Sequence, residues 1–545
     1  MTRLDRRDLL AAALIVVAAT WLLTSTAGTL GYARDEGFYF AAAESYARWF
    51  ELLLRDPGRA VTRASVDAAW SVNHEHPALL KSLFALSWSL LHGRLHLFAE
   101  EGTSFRFPAM VLSGVATAVT YLWGTEARGR RAGAVAAGAF FFVPTTFYHS
   151  HLDCFDVPIA ALWTLTAWAY WRSLIGGGWR WAVLAGVLFG LALDTKHNSW
   201  FLPFFVCAHT CLSRRAELWE GLRRGRLSLP LAIPCMALLG PLVFVAGWPW
   251  LWYDTASRFF GYVQFHTRHE YYNMEFLGQT YWRPPFPRGY AWLMTAATVP
   301  AVTLVAALVG VALAARRARR PHGDDPGATD LAWALGALIG FAPWLSTGTP
   351  IFGGTKHWLT AYPFLALFAG VGVDRALSTL GALLPPRRAR WAVVAATVCV
   401  CASPVVQTLR AHPWGLSAYT PLVGGAPGAA TLGLNRGFWG YTTGSVLDVL
   451  NGLPKGSSVY LHDTAWDSWK MLQRDGRLRG DLRATLAPSG ADAALYHHEA
   501  HMAGVEQQIW VALGTTTPAA VRGLDGVPIV WVYLKAPHGS DTPPR

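Results

Sequence analysis

The chain has 545 residues, of which 53% are hydrophobic and only 15% are charged, whereas about a quarter of the residues in a soluble domain are charged. The net charge of +12 does not indicate a nucleic-acid partner, because the arginines lie in short loops between apolar runs, as in the cytoplasmic loops of membrane proteins. The composition therefore excludes a wholly soluble chain and predicts a multi-pass membrane protein with one soluble domain at its end.

The first apolar run, 9–30, is predicted to be an uncleaved membrane helix. It is long enough to cross a bilayer and lacks the short apolar core and small-residue cleavage site of a signal peptide. Basic residues before it place the amino terminus in the cytoplasm. The segment 31–104 is then a first outer loop. Its apolar stretch 77–91 is too short to span and is predicted to be a surface helix.

The remaining membrane helices are predicted from apolar runs whose inward ends meet arginines and whose outward ends meet acids, histidine, tryptophan or glycine. They are 107–123, 132–148, 157–171, 181–194, 198–212, 228–247, 289–314, 330–346, 357–373 and 391–409. With the first helix this gives an all-α membrane domain, 1–410, of about 11 transmembrane helices. The alternation of sides places the tail, 411–545, outside the membrane.

The tail is predicted to be a small α/β domain. Strand-like runs at 458–462, 493–497 and 527–534 alternate with helix-like runs at 464–474 and 499–511, which is typical of that fold class. The tail lacks a Gly-rich nucleotide-binding pattern, and all six cysteines lie outside it, so no disulfide framework is expected there. The end of the tail, 537–545, has a composition typical of disorder.

Two pairs of acids lie at predicted outer helix ends. Asp35 and Glu36 follow the first helix, where a carboxylate beside an apolar wall can act as a general base; a helix cap or a solvated charge is the alternative. Asp153 and Asp156 lie in a short turn before an apolar helix. They are either helix caps or substrate ligands, and spacing alone does not decide between these.

Cations also lie at predicted outward helix ends, against the usual distribution of positive charge. They are Arg106, Lys196 and Lys356, with His197 and His357 directly after the two lysines. An anionic lipid head group would explain cations on this side. The alternative is that the long side chains only reach from the bilayer to water.

Two histidine-rich segments were considered as metal sites. Glu75, flanked by two histidines, could share a divalent metal with His266 from the loop 248–288 if the two loops meet. The alternative is that these histidines only lie at the membrane interface, directly before a helix that begins with proline. The segment 497–501 of the tail lacks the spacing that places two histidines on one helix face, and it is predicted to be a surface histidine cluster. No other cofactor is indicated.

In this order, the motifs resemble the GT-C type polyprenyl-phosphate-sugar glycosyltransferases of the protein O-mannosyltransferase and lipid A aminoarabinose transferase superfamily, similar to glycosyltransferase family 39. The resemblance covers residues 9–375. It rests on Arg-Asp-Glu-Gly-Phe-Tyr at 34–39, Glu-His-Pro-Ala-Leu at 75–79, Phe-Arg-Phe-Pro at 105–108, the Asp153/Asp156 turn, Thr-Lys-His at 195–197, and Lys-His at 356–357 before an apolar Tyr-Pro-Phe run.

The resemblance implies transfer of a sugar from a polyprenyl-phosphate donor to a protein, lipid or glycan acceptor at the outer face of a bacterial-type inner (plasma) membrane. It implies that Asp35 is the catalytic base and that Glu36 assists it or binds acceptor. Lys196, Lys356 and Arg106 would hold the departing phosphate.

Two details qualify this expectation. Relatives carry Glu-Lys-Pro-Pro where this chain has Glu-His-Pro-Ala at 75–78, so Lys81 is expected to replace the missing lysine. In-line attack by the acceptor hydroxyl would invert the anomeric centre.

A transporter or flippase for a lipid-linked solute is the main competing function. Transporters place ionisable residues at mid-membrane and often show paired repeats, whereas here the polar groups lie at outward helix ends and no clear repeat is visible. A membrane sensor with a ligand-binding tail would leave the ordered acids unexplained. The sequence therefore favours the glycosyltransferase.

Overall fold

The computed structural model describes residues 3–226, 228–319, 325, 327–351 and 353–536, and the predicted disordered end, 537–545, lies outside them. Up to residue 411 the α-helices are Arg6–Thr26, Arg34–Arg55, Pro57–Ala60, Arg63–Trp70, Leu79–Ser87, Glu101–Arg128, Arg130–Phe141, Pro144–His149, Asp156–Arg172, Gly178–Leu193, Leu202–Ser213, Arg215–Arg223, Ala232–Gly247, Thr255–Thr267, Tyr290–Thr298, Ala301–Ala318, Thr329–Phe341, Tyr362–Leu383 and Pro386–Ala411. The tail adds Gly425–Thr431, Leu447–Asn451, Trp466–Arg474 and Ala503–Leu513.

Among the described residues, six helical segments are long and apolar enough to cross a membrane. They are Arg6–Thr29, Glu101–Arg128, Asp156–Leu193, Ala301–Ala318, Gly354–Leu383 and Pro386–Ala411, and Leu79–His92, Ala232–Gly247 and Thr329–Leu345 are shorter apolar segments. The chain is therefore a multi-pass membrane protein with an all-α membrane part. Asp156–Leu193 is broken by non-helical backbone at Ile175 and Gly176, so it comprises two helices. The number of about 11 spans stays a prediction.

Several helix boundaries differ from the prediction. The helix expected at 107–123 begins at Glu101, so Arg106 lies inside it rather than before it. The single helix expected at 289–314 is interrupted at Pro300, because proline lacks a backbone N–H and disfavours helical backbone in the preceding residue.

Asp35 and Glu36, for which a helix cap was one of the alternatives, form the first turn of the helix Arg34–Arg55. The carboxylate of Glu36 accepts the Ala33 backbone N–H at 2.8 Å, which satisfies one of the free N–H groups at the start of a helix. Acids in a first turn also interact favourably with the helix dipole. A helix is present at the position of the predicted surface helix, Leu79–Ser87, and a π-helical turn continues it to His92; its location along the membrane surface stays a prediction.

The tail contains the predicted sheet. Strands β3 (Ser458–Tyr460), β5 (Ala493–His497) and β7 (Val527–Leu534) confirm the three strand-like runs, and β4 (Arg483–Thr485) and β6 (Ala520–Leu524) were not predicted. The order is β4-β3-β5-β7-β6. β3 pairs parallel with β4 and β5, and β7 pairs antiparallel with β5 and β6. A separate hairpin, β1 (Met274–Phe276) and β2 (Gln279–Tyr281), lies in the loop 248–288.

The tail packs on the segment 31–104. Tyr46 and Trp70 of this segment share one hydrophobic cluster with Trp469 and Val459 of the tail. Ser468 Oγ donates a hydrogen bond to the carbonyl oxygen preceding the helix Arg34–Arg55, at 3.0 Å. The division into 1–410 and 411–545 is kept as a proposal, and the contact shows that the tail lies against the segment carrying Asp35.

Candidate active site

Asp35 and Lys356 form the centre of the candidate site. Asp35 Oδ2 lies 3.3 Å from Lys356 Nζ, and the Asp35 side chain is 25% exposed while that of Lys356 is 6% exposed. Lys356 lies in the 3₁₀ helix Gly354–Ala361. Its ammonium also lies 3.8 Å from the centre of the Trp439 ring. The carboxylate is thus open to a ligand, while the cation is enclosed between an acid and an aromatic face.

Trp439 comes from the tail and was not identified from the sequence. Its carbonyl accepts the Arg34 backbone N–H at 2.9 Å, and the Arg34 guanidinium lies 3.2 Å from Asp463 of the tail. Two contacts therefore hold the tail over the first turn that carries Asp35. Since Trp439 is far away in the chain and carries no motif, only the tertiary structure reveals it.

A second ion pair joins Asp156 and Lys196. Asp156 is the first residue of the helix Asp156–Arg172, and Lys196 precedes the 3₁₀ helix His197–Phe201. Both side chains are buried, and they are in direct contact. A buried ammonium held by one carboxylate can exchange that partner for an anionic ligand without leaving the site.

His149 lies near both ion pairs. It is fully buried, and within the described residues neither ring nitrogen has a hydrogen-bond partner. Burial lowers its pKa to about 4, and Asp156, Lys356, Lys196 and Asp35 all act on it electrostatically. The two ion pairs are therefore within electrostatic range of one imidazole, which sequence reasoning did not single out.

Glu36 and Arg106 are not open to a ligand in this arrangement. Arg106 donates from Nε and Nη2 to the two Glu36 oxygens at 2.7 and 2.8 Å, and both side chains are fully buried. Nη2 also donates to the Gly31 carbonyl at 2.6 Å. The guanidinium lies 4.4 Å from the Tyr32 ring. The pair thus connects the start of one helix to the middle of another.

Asp153 lies beside this pair. Its backbone N–H donates to Glu36 Oε1 at 3.0 Å, and both of its carboxylate oxygens are buried without a partner among the described residues. Burial, and after it the Glu36 charge, raise the pKa of Asp153 well above its ordinary value. We infer that this carboxyl is neutral and able to donate.

Lys81 is bound to the loop that carries Glu75. Its ammonium donates to the backbone carbonyls of Asn73 and His76 at 2.5 and 2.8 Å, and burial lowers its pKa to about 7. His266 Nε2 lies 3.0 Å from the Glu75 carbonyl, so the two loops do meet. His266 therefore contacts the backbone of Glu75 and not its carboxylate. The Glu75 carboxylate accepts a hydrogen bond from the side-chain amide of Asn73 at 2.7 Å.

The two histidines that follow the lysines have different surroundings. The ring of His197 lies 4.3 Å from that of His266. The ring of His357 lies 4.5 Å from that of Trp344, and its carbonyl accepts from Asn198 at 3.1 Å. Asp194, which was not predicted as a site residue, accepts the Ala78 N–H at 3.1 Å and so fixes the start of the surface helix.

The prediction of a surface histidine cluster at 497–501 is wrong. His497 and Glu499 are buried, and the buried His501 ring contacts Glu275 of the hairpin β1–β2. The sequence could not show this, because the partner, Glu275, lies more than 200 residues earlier. In the described part of the chain, one group of at least three ligand-type side chains is compact enough to hold a metal: Glu275, Glu499 and His501.

Comparison with known proteins gives one family match. A family model described as dolichyl-phosphate-mannose-protein mannosyltransferase matches residues 84–250, which is less than half of the chain. No curated protein matches the sequence. The matched segment includes Arg106, Asp153, Asp156 and Lys196.

Several solved structures are similar in fold. The archaeal oligosaccharyltransferase AglB from Archaeoglobus fulgidus, in complex with an inhibitory peptide and a dolichol-phosphate, has 10% identity and a TM-score of 0.50, over 94% of this chain and 72% of that chain. ArnT from Cupriavidus metallidurans bound to undecaprenyl phosphate has 16% identity and a TM-score of 0.49, over 95% of this chain and 97% of that chain. The arabinosyltransferase EmbB from Mycobacterium smegmatis has 12% identity and a TM-score of 0.41, over 80% of this chain and 44% of that chain. The chain therefore has the GT-C fold, which is the fold of a class of membrane glycosyltransferases.

Proposed function

We propose that this chain is a glycosyltransferase that moves a sugar from a polyprenyl-phosphate donor to an acceptor hydroxyl. The observation that carries the proposal is the contact of an open carboxylate, Asp35, with the buried Lys356, together with a second buried pair, Asp156 and Lys196. The family match supports a lipid-phosphate sugar as donor. The dolichol-phosphate and peptide bound by AglB are consistent with such a donor and with a protein acceptor; lipid and glycan acceptors fit the same chemistry.

The chemistry needs one base and at least one cation. Asp35 takes the proton from the acceptor hydroxyl as its oxygen forms a bond to the anomeric carbon. The bond between that carbon and the phosphate oxygen breaks, and its electron pair leaves with the polyprenyl phosphate. Lys356 and Lys196 stabilise the charge that gathers on this leaving group. Attack opposite the leaving group inverts the anomeric centre.

The other site residues take supporting roles. The Glu36–Arg106 pair holds the first turn of Arg34–Arg55 in place, so it positions Asp35. Asp156 holds Lys196 until donor phosphate arrives, and Asp153 donates to a sugar or acceptor oxygen. We assign His197 and His357 to the wall of the donor pocket. Lys81 orders the Glu75 loop, where the Glu75/His266 metal stays a prediction.

The proposed orientation follows the distribution of basic loops. We place the amino terminus in the cytoplasm and the site and tail at the outer face of the inner membrane. A polyprenyl-phosphate sugar is already activated, so this location requires no nucleotide. The apolar helices would hold the polyprenyl chain while its phosphate meets the lysines.

The test uses the purified full-length protein with a panel of radiolabelled polyprenyl-phosphate sugars and scores the labelled product. One donor should support transfer, and Asp35→Asn should lower the rate on the order of 10²- to 10⁴-fold, the usual contribution of a general base. Glu51→Gln is the matched control, because it removes an exposed carboxylate from the same helix.

Transfer by Asp35→Asn at the wild-type rate would show that Asp35 is not the base. The same preparation should then be reconstituted in vesicles. Movement of a lipid-linked sugar across the bilayer without transfer from any donor would identify a transporter and reject the proposal.

A further inference from the structure

A buried cluster outside the candidate active site joins the loop 248–288 to the tail. Glu275 lies on β1, and Glu499 and His501 follow β5. One ligand atom from each lies within 4.8 Å of the others, and all three side chains are buried. Imidazole and carboxylate groups brought together from separate segments are typical donors for a divalent transition metal.

The separations inside the cluster are short. His501 Nδ1 lies 2.8 Å from Glu275 Oε1, and His501 Nε2 lies 3.6 Å from Glu499 Oε2. The side-chain amide nitrogen of Asn273 lies 3.3 Å from His501 Nδ1 and 3.4 Å from Glu499 Oε2, and turning the amide exchanges its nitrogen for its oxygen at this position. Neighbouring ligand atoms in a tetrahedral zinc site with bonds of 2.0–2.1 Å are about 3.3 Å apart, so these groups lie close to ligand spacing.

Apart from the imidazole, the two acids have no basic partner in the described part of the chain. No lysine or arginine there forms an ion pair with Glu275 or Glu499, and Arg34 is paired with Asp463. Two buried carboxylates therefore share one imidazole, and a divalent ion would stabilise the ionised form of the cluster.

We propose that Glu275, Glu499 and His501 bind one divalent transition-metal ion of the zinc type, with the Asn273 oxygen at the fourth position. The ion fastens the tail to the hairpin β1–β2. This keeps the tail residues Trp439 and Asp463 against the segment that carries Asp35. The site is independent of the Glu75/His266 prediction, and its metal binding does not depend on whether the chain transfers sugar.

The test uses the full-length protein in detergent, stripped with a chelator and then given Zn²⁺. Zinc per chain is measured by plasma mass spectrometry after desalting, and the unfolding temperature is measured with and without Zn²⁺. We expect the wild type to retain zinc at this site and to unfold at a higher temperature with Zn²⁺, because the ion binds only the folded chain. Glu499→Gln and His501→Gln should lose one zinc per chain and the temperature shift.

Two control variants should keep the ion. Asp525→Asn removes an exposed carboxylate in the turn between β6 and β7, at a positive φ of 49° that asparagine tolerates,. His266→Gln tests whether zinc binds at the Glu75 loop instead. The proposal is overturned if the wild type binds no zinc, if Glu499→Gln and His501→Gln keep it, or if only His266→Gln loses it.

A spectroscopic measurement covers the case in which the cluster variants do not fold. Co²⁺ replaces Zn²⁺ in the wild type, and its visible absorption reports the ligand geometry. A tetrahedral spectrum that Zn²⁺ abolishes, in wild type and in His266→Gln alike, supports the site. The spectrum of hydrated octahedral Co²⁺ in the wild type rejects it.

Discussion

The Lys356 ammonium lies 3.3 Å from the Asp35 carboxylate, although 321 positions separate the two residues in the chain. The same ammonium lies on the Trp439 ring. In this arrangement the cation is paired with the proposed base. We expect a donor phosphate to attract Lys356 and so release Asp35 to accept a proton, which would couple donor binding to activation of the base.

Substitution of Lys356 tests this coupling. Lys356→Met should lower kcat/KM for the donor by about 10- to 100-fold, the range for losing a hydrogen bond to a charged group. Lys356→Arg should retain part of the activity. Initial rates against donor concentration measure the effect. Lys470→Met is the matched control, because Lys470 also lies on a tryptophan ring in the tail. Equal activity in Lys356→Met and wild type would contradict the assignment.

The Glu36–Arg106 pair should matter more for stability than for binding. Arg106→Gln leaves the fully buried Glu36 without its cationic partner, and breaking a buried pair in this way costs about 3–5 kcal/mol. The double variant Glu36→Gln/Arg106→Gln should regain part of that stability, as a double-mutant cycle of unfolding temperatures can measure. The exposed pair Glu51–Arg55 is the control, and Glu51→Gln should change little. Additive losses in the double variant would show that the pair is not coupled.

The six helical segments long enough to span a membrane were found from the sequence because each contains a long apolar run. The break at Pro300 was missed, since apolar residues continue on both sides of it. The sequence left open whether Asp35 and Glu36 cap a helix. The hydrogen bond from the Ala33 N–H to Glu36 shows that Glu36 does.

The site residues were found as motifs, but their partners were not. Asp35 and Lys356 could be identified separately, whereas their contact depends on how the helices pack. Trp439 and His149 have no sequence signal, because a lone tryptophan and a lone histidine occur throughout this chain. The burial of 497–501 depends on Glu275 from a distant loop. Long-range contacts of this kind cannot be obtained from one sequence without its relatives.

The pH dependence of stability should report the buried Lys81. Its pKa is about 7 in the folded chain, against an ordinary value of 10.5. Between these values the unfolded chain holds a proton that the folded chain lacks, so the contribution of Lys81 to stability rises with pH above about 7 and is lost as pH falls through 7. The slope is up to about 1.4 kcal/mol per pH unit.

Lys81→Met should remove this contribution. The unfolding temperature of the wild type, measured relative to Lys81→Met, should increase from pH 7 to pH 9. Lys470→Met, at an exposed position, should parallel the wild type over the same range. A constant difference between wild type and Lys81→Met would mean that Lys81 keeps its proton in the folded chain.

The Asp156–Lys196 pair offers the sharpest test of donor binding. If Lys196 binds donor phosphate, Lys196→Met should raise KM for the donor, whereas Asp156→Asn should leave the ammonium in place and affect KM less. The double variant should then resemble Lys196→Met, because Asp156 acts only through the lysine. The values of kcat and KM for the donor, measured for the wild type, the two single variants and the double variant, test this expectation. If the two single effects add, Asp156 contacts substrate itself, and a larger effect of Asp156→Asn than of Lys196→Met would reverse the two roles.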